Sequence, residues 1–531
     1  MIKNINNIVI VGGGSAGWMT AAALSNVHPD KNITVIESPN TPIIGVGEST
    51  LASINNYLKL IGASKKQFMK NTNATFKMSI RFVDFYEKDS EPFHYPFGKP
   101  YTEDMLRGVY DWWVKKAFFP ETSVSDFAKS FFPAVTLCEE GKFSDNNGEF
   151  DNYDPDNYVA YHFDAVKFGK WLKDTHCKNV NYISQNVEKI LQNSNGIDHL
   201  VLSNNEKIKA DLFVDCTGFK SLLLEDTLQE PFISLNQTTL PNNKAWVAQV
   251  PYKDKDKEMM PYTNCTAIEN GWCWNIGVWD RLGTGYVYSD QFITDKEALE
   301  EYKNYLKSNK MIIPRTDEEI NSLTFRNISM KVGYHKRTLV KNVVAIGLSA
   351  GFAEPLESNG LFTVHENIFM LLKLLRRNAI TQWDRDNYNA ATYDMWRNFT
   401  QFIGLHYALS IRDDTPYWRA NSQRVYKPGL DSLEPDTSNG YNTFKNQRMF
   451  NNTPIDTEAG IVWVSTGMNT PMLDEIDVAL ISKLDYNDLY SEYKDVFNIF
   501  EQRKQKWKFA AKDKPSLYQY LKEVIYNETD Q

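Results

Sequence analysis

The run Gly12-Gly13-Gly14-Ser15-Ala16-Gly17 has a spacing that can hold a phosphate. It follows Ile8-Val9-Ile10-Val11, a β-branched stretch, and leads into Trp18-Met19-Thr20-Ala21-Ala22-Ala23-Leu24, a good helix former. Strand, glycine turn and helix in that order make G-x-G-x-x-G a dinucleotide fingerprint rather than a simple turn. Gly12 permits the tight turn, Gly14 lets backbone approach a pyrophosphate, and Gly17 lets the helix lie close to the strand. Ser15 and Ala16 open the helix, where free N–H groups and the positive end of the dipole favour an anion. A second strand, Ile33-Thr34-Val35-Ile36, ends at Glu37, about 20 residues after the last glycine, the place of an acid that holds a ribose hydroxyl.

These residues need a sizeable frame, and a chain of 531 residues supplies one. With 42% hydrophobic and 24% charged residues the composition is that of a soluble enzyme. A formal charge of −9 gives no electrostatic footprint for nucleic acid. No tract suggests a signal peptide or a membrane span, so a cytoplasmic setting is expected. The five cysteines, Cys138, Cys177, Cys216, Cys265 and Cys273, lack C-x-x-C spacing, which argues against a zinc site or disulfide framework. His94, His162 and His406 show no metal-ligand pattern. Aromatic residues crowd the stretches from Tyr86 to Phe132 and from Trp383 to Trp418, as core packing or as the lining of a cavity for a flat ligand.

The pattern predicts β-α-β over residues 1–50, a strand from Phe76 to Phe85, and a loop-rich aromatic insertion over about 87–156. A helix is expected from Phe163 to Leu172, with short strands at Asn181–Ile183 and His199–Leu202, and Asp211 to Gly218 reads as a buried strand ending in a glycine turn. Val343-Val344-Ala345-Ile346-Gly347-Leu348 is a second buried strand meeting a glycine turn. In two-dinucleotide-fold flavoproteins such a strand returns to the cofactor late in the chain, which favours FAD over a plain nicotinamide dehydrogenase. The expected class is α/β: a FAD-binding, flavin monooxygenase-like two-dinucleotide-fold module over residues 1–370, followed by a mainly helical substrate-covering region over 371–531.

Beyond these patterns the chain resembles the flavin-dependent halogenases of the tryptophan-halogenase type, over roughly residues 8–420. Gly12 to Gly17 is similar to the family's FAD fingerprint, and Ile44-Gly45-Val46-Gly47-Glu48-Ser49-Thr50 to its flavin-contacting strap. Ala74-Thr75-Phe76-Lys77-Met78 resembles the segment bearing its essential lysine. Gly351-Phe352-Ala353-Glu354-Pro355-Leu356-Glu357-Ser358 resembles the segment bearing its essential glutamate. Tyr161-His162-Phe163-Asp164, Asp215-Cys216-Thr217-Gly218-Phe219, Gly271-Trp272-Cys273-Trp274-Asn275-Ile276 and Arg412-Asp413-Asp414-Thr415-Pro416-Tyr417-Trp418 are further family-like stretches. The resemblance implies an enzyme that uses reduced FAD, oxygen and halide to make hypohalous acid and halogenate an electron-rich aromatic, with a separate flavin reductase as partner. It implies that the Lys77 ammonium directs the oxidant and that Glu357 stabilises the cationic ring and takes its proton, with Ser358 orienting the carboxylate or relaying a proton. Glu354 competes for the plain role of a helix-start acid. Gly47, Glu48, Ser49, Gly347 and Leu348 are implied flavin contacts, and Trp272 and Trp274 a barrier between flavin and substrate. A FAD-dependent aromatic hydroxylase and a non-catalytic protein that binds FAD and an aromatic are the competing readings.

Three departures from the family pattern carry expectations. Gly277 stands where the family has proline, which loosens a turn. Asn359 replaces the family's threonine beside Gly360 at the implied halide site, and a softer site there favours bromide or iodide. The tyrosine pair that grips free tryptophan is missing from Gly460-Ile461-Val462-Trp463-Val464-Ser465-Thr466-Gly467, and His94-Tyr95-Pro96-Phe97 reorders the family's Tyr-His-Pro-Phe. His94, Phe97 and Trp463 are therefore expected to line a site for an indole, a phenol or another electron-rich arene.

Overall fold

A computed structural model describes residues 1–40, 47–146, 148–236, 238–377, 379–423, 460–470 and 486–527. The chain divides into two compact units, each assembled from three separate stretches. The first comprises Met1–Ala74, His162–Ala245 and Ile328–Thr400. The second comprises Thr75–Tyr161, Trp246–Asn327 and Gln401–Gln531.

The first unit is built on a six-stranded sheet. Asn7–Val11 lies between the parallel strands Asn32–Glu37 and Leu212–Asp215. Asn181–Ser184 extends one side and Val343–Ala345 the other, both in parallel, and Leu339–Val340 closes an edge antiparallel. Strands covered on both faces should read as continuous apolar runs. Ile8, Ile10, Val35, Phe213, Val214 and Val344 do so, and none of them is exposed. The helix Ser15–Val27 packs against Ala165–His176 and Gly360–Leu374. Asp164 caps the second of these, accepting from the Lys167 N–H at 2.9 Å.

The second unit carries a sheet in which Phe93–Pro96, Ser79–Val83, Tyr262–Ile268, Gly271–Val278 and Arg281–Tyr288 lie side by side. Ser79–Val83 runs parallel to Tyr262–Ile268, and the other neighbours are antiparallel. One core joins Trp112, Phe127, Phe131, Phe132, Trp463, Tyr493 and Phe500. The bidentate pairing of Arg412 with Asp414, at 2.9 and 2.8 Å, lets the same guanidinium donate to the Asp84 carbonyl at 3.1 Å, which ties the 410–418 stretch to the strand Ser79–Val83.

Several sequence expectations change in detail. The strand expected over Phe76–Phe85 is two strands, Thr75–Lys77 and Ser79–Val83, parted at Met78, whose N–H turns to the Pro261 carbonyl at 2.8 Å. The insertion expected to be loop-rich holds the helices Asp111–Phe118, Ser125–Phe131 and Pro133–Glu139. Their aromatics are the apolar stripes of short helices, and burial against the helix Tyr486–Ala511 outweighs modest propensity. Gly277 does not loosen a turn, because it lies inside the strand Gly271–Val278, opposite Leu282.

Two fingerprint glycines separate crowding from open space. Gly12 has φ +116°, and a β-carbon there would overlap the Cys216 carbonyl. A β-carbon at Gly14 would meet nothing within 4 Å. Gly12→Ala should therefore cost at least about 2 kcal/mol in urea unfolding, whereas Gly14→Ala should cost less than about 1 kcal/mol.

Candidate active site

The first unit brings the fingerprint residues together as the spacing requires. A β-carbon at Gly17 would overlap the Gly12 carbonyl, so only glycine lets the helix start sit against the strand end. The helix begins at Ser15 without a side-chain cap, its first N–H groups lack partners within the helix, and a β-carbon at Gly14 would meet only open space. The Glu37 carboxylate lies beside Gly13, and the Lys173 ammonium stands 3.9 Å from it and 3.4 Å over the Tyr182 ring. Gly347, at φ +78°, abuts Ala16 and opens the turn Gly347–Ser349. An anionic, two-headed ligand with a pyrophosphate and a ribose fits this donor set, so the residues suit FAD.

Asp215 holds the neighbouring turn. Its carboxylate accepts from the Thr217 N–H at 3.0 Å and hydroxyl at 2.6 Å, and from the N–H groups of Leu223 and Leu224 at 2.7 and 2.9 Å. Burial raises its pKa, while these donors act to lower it. The sequence flagged the motif but not this role. The signal available was an acid at the end of a buried strand, followed at once by threonine and glycine.

The segment after Gly351 separates its two acids. Glu354 is fully buried and accepts from the Asn242 N–H at 3.2 Å and its Nδ2 at 2.9 Å, so it ties two loops together. Glu357 is 1% exposed, on the short turn Pro355–Glu357. Ser358 follows in the left-handed region, φ 58°, and its hydroxyl donates to the Ser49 hydroxyl at 2.9 Å. Asn359 and Gly360 then open the helix Gly360–Leu374. Of the strap, Gly47, Glu48 and Ser49 are described, with Glu48 and Ser49 paired opposite Phe163 and His162, and Ile44-Gly45-Val46 lies outside the described residues. Burial of the Glu48 carboxyl raises its pKa to about 7.

The second unit holds Lys77. It closes the strand Thr75–Lys77, whose Thr75 hydroxyl donates to the Gly277 carbonyl. Lys77 is fully buried, with its ammonium 4.8 Å over the Phe97 ring. Phe97 is nearly buried, edge-on to Tyr95, and its N–H reaches the Met78 carbonyl at 2.9 Å. Trp272 and Trp274 share one strand with ring centroids 6.1 Å apart, and Trp274 lies over Gly285, where a β-carbon would clash. His94 is held within the sheet, Nδ1 2.8 Å from the Ser79 hydroxyl and its ring edge-on to Tyr262. Trp463 is core, stacked on Phe127 at 4.6 Å and edge-on to Phe132. Its helix, Gly460–Gly467, lies close because Gly460 meets Tyr95 and Phe402 while Gly467 meets Phe93. Lys77, Phe97, His94, Trp272, Trp274 and Trp463 thus belong to one unit, and Glu357, Ser358, Asn359 and the fingerprint to the other. Among the described residues no group of His, Cys, Asp and Glu is arranged to hold a metal.

The sequence profile of the tryptophan halogenases matches residues 7–459. The chain belongs to that family. The halogenase is 34% identical to the 7-chloro-L-tryptophan 6-halogenase KtzR of Kutzneria sp. (strain 744) over 451 residues, 80% of this chain and 83% of that one. It is 31% identical to the tryptophan 7-halogenase RebH of Lentzea aerocolonigenes over 448 residues, 81% of each. Among solved structures, the VirX1 apo structure superposes with a TM-score of 0.87 at 34% identity, covering 99% of this chain and 100% of that one. BrvH, a flavin-dependent halogenase from Brevundimonas sp. BAL3, gives 0.80 at 26% identity, covering 98% and 100%. The α/β flavoprotein class read from the sequence is the class of these neighbours, and the protein is a flavin-dependent halogenase.

The burial of His94 has a consequence for stability. Burial first, then Arg81 and Lys129, hold its pKa well below the ordinary value, so it is neutral when folded. The unfolded chain takes up a proton near pH 6.5 that the folded one refuses. Stability from this group is therefore present above that pH and lost as pH falls below it. Replacing His94 with phenylalanine should flatten the fall in melting temperature between pH 7 and pH 5, relative to the unsubstituted protein, in paired thermal scans.

Proposed function

We propose that this halogenase makes hypohalous acid and spends it on an electron-rich arene of the indole or phenol type. The observation that carries the reading is Lys77, an ammonium fully removed from solvent and held over the Phe97 face. Removing a cation from water is costly unless the surroundings repay it. Such a cation can hydrogen-bond a neutral O–halogen oxidant and hold it near an aromatic face.

The N–H groups of Ser15 and Ala16 would take the pyrophosphate of FAD, beside Gly12, Gly14 and Gly17, and Glu37 a ribose hydroxyl. Gly47, Glu48, Ser49, Gly347 and Leu348 would meet the ring system. Bound reduced FAD would supply the reducing power that activates oxygen. The halide would sit at Asn359 and Gly360. Lys77 directs the oxidant, and Glu357, itself buried, stabilises the arenium charge and removes the ring proton. Ser358 is tied to the strap through Ser49, which favours positioning as its role. Trp272 and Trp274 separate flavin from arene, Phe97 faces the ring, and His94 and Trp463 support that wall from within the sheet and core. With the one G-x-G-x-x-G run given to FAD, reduced flavin comes from a separate reductase. In this reading the FAD-binding residues lie in the first unit and the arene-side residues Lys77, His94, Phe97, Trp272, Trp274 and Trp463 in the second, so a FAD module over 1–370 followed by a substrate-covering region over 371–531 is too simple a division. Five buried free cysteines suit a reducing cytoplasm. Among the described residues no helix is long and apolar enough to cross a membrane.

An arene panel incubated with FAD, a reductase and bromide should give products with the mass of one added bromine. Hydroxylated products without halide would instead mark a hydroxylase. Lys77→Ala should lower halogenated product at least about 100-fold with FAD affinity kept, and Glu357→Gln should lower it at least about 10-fold. Loss of FAD binding in Lys77→Ala would make the lysine structural. With equal halides in competition, bromide or iodide should enter ahead of chloride.

A further inference from the structure

Asn359 begins its helix in an unusual way. Asparagine at an N-cap ordinarily accepts from an N–H of the first turn. Here its side chain makes no cap bond, although the residue is 1% exposed. Among the described residues neither Nδ2 nor Oδ1 has a hydrogen-bond partner. The earliest helical N–H to turn back is that of Thr363, which donates to the Asn359 carbonyl at 3.1 Å. The N–H groups before it have no acceptor within the helix. A buried carboxamide donor and a helix N-terminus thus converge on one spot, and both are neutral donors.

A carboxyl group stands beside that helix start. Glu48 Oε2 lies 3.8 Å from where a β-carbon of Gly360 would stand. The next residue, Ser49, receives the Ser358 hydroxyl, so strap and helix start are tied together beside that carboxyl. We propose that Glu48 gates the halide: its neutral form admits the anion beside the Asn359 carboxamide and the helix N–H groups, and its carboxylate excludes it. The proposal rests on the reading that halide binds at Asn359 and Gly360.

Two negative charges a few ångströms apart in a partly enclosed site repel, whereas a protonated carboxyl adds no charge. With the Glu48 pKa near 7, both forms are populated at neutral pH. Affinity is then full below that pH and falls as pH rises through it. By linkage, halide binding draws a proton onto Glu48. Other titratable groups on the packed elements are His162 opposite Ser49, Glu357 on the preceding turn, and His365, which lies 3.4 Å from the Ser53 hydroxyl and 3.3 Å from Glu366. A Glu48→Gln variant changes only the group that faces Gly360.

Chloride-35 NMR line broadening on the purified full chain reads bound halide without turnover. Between pH 6 and pH 8.5 the chloride dissociation constant should rise about 30-fold for a gate centred near pH 7. In Glu48→Gln, shown to be folded by circular dichroism, the change should be under about threefold. An unsubstituted protein with no pH dependence, or a Glu48→Gln variant with the same dependence, would overturn the gate. Calorimetry of bromide binding near pH 7 in two buffers of different ionisation enthalpy gives a second readout, with uptake of about half a proton expected and zero uptake against the gate. Asn359→Asp tests the site itself. Loss of broadening at both pH values supports the location, so that a flat profile beside it sinks the gate alone. Unchanged binding at pH 6 would place the halide elsewhere and overturn both.

Discussion

The tightest constraint in the first unit is the meeting of the strand Asn7–Val11, the helix Ser15–Val27 and the end of Leu212–Asp215. Gly12 and Gly17 face carbonyl oxygens so closely that neither tolerates a β-carbon. That approach fixes where the helix N-terminus points and how far it stands from the strand ends. The Gly347 turn against Ala16 and the acid at the end of Asn32–Glu37 take their places from it. A cofactor site of this kind is less a set of side chains than a consequence of backbone proximity.

The electrostatic theme of the chain is burial of groups that would rather be wet. Lys77 is removed from solvent against an aromatic face, Asp215 is surrounded by four donors, and Glu354 is matched by both nitrogens of Asn242. The last two are satisfied structural acids, and their hydrogen bonds account for them. Glu48 differs, because desolvation alone raises its pKa, to about 7. A carboxyl poised in this way responds to small changes around it.

The parts of the fold legible from sequence were those with a strict local rule. The glycine fingerprint, the apolar strand runs and the acid after the second strand each follow from backbone geometry or burial, and the residues said as much. The aromatic insertion read as loops because its helices are short and its hydrophobic periodicity is cut by proline, glycine and paired aromatics. Their stability comes from the distant helix Tyr486–Ala511, which no local window reveals. The reading of Gly277 as a turn residue failed for a related reason, since a glycine inside a strand looks like a turn until its partner Leu282 is known. The burial of Lys77 and Glu357 was not readable from local pattern, because isolated lysines and glutamates are ordinarily solvated, and only the family resemblance singled them out. The Glu48 carboxyl was invisible as a titrating group, since one of its neighbours is a helix start more than three hundred residues along the chain.

The interleaving of the two units has its own consequence during synthesis. The central sheet of the first unit needs Val343–Ala345 beside Leu212–Asp215, and the second unit is left open until the chain has passed Thr400. A nascent chain must therefore carry unpaired apolar strands and sticky aromatic helices for most of its translation. A stop before Thr400 would leave neither unit complete, and partly assembled surfaces of this kind are prone to aggregate.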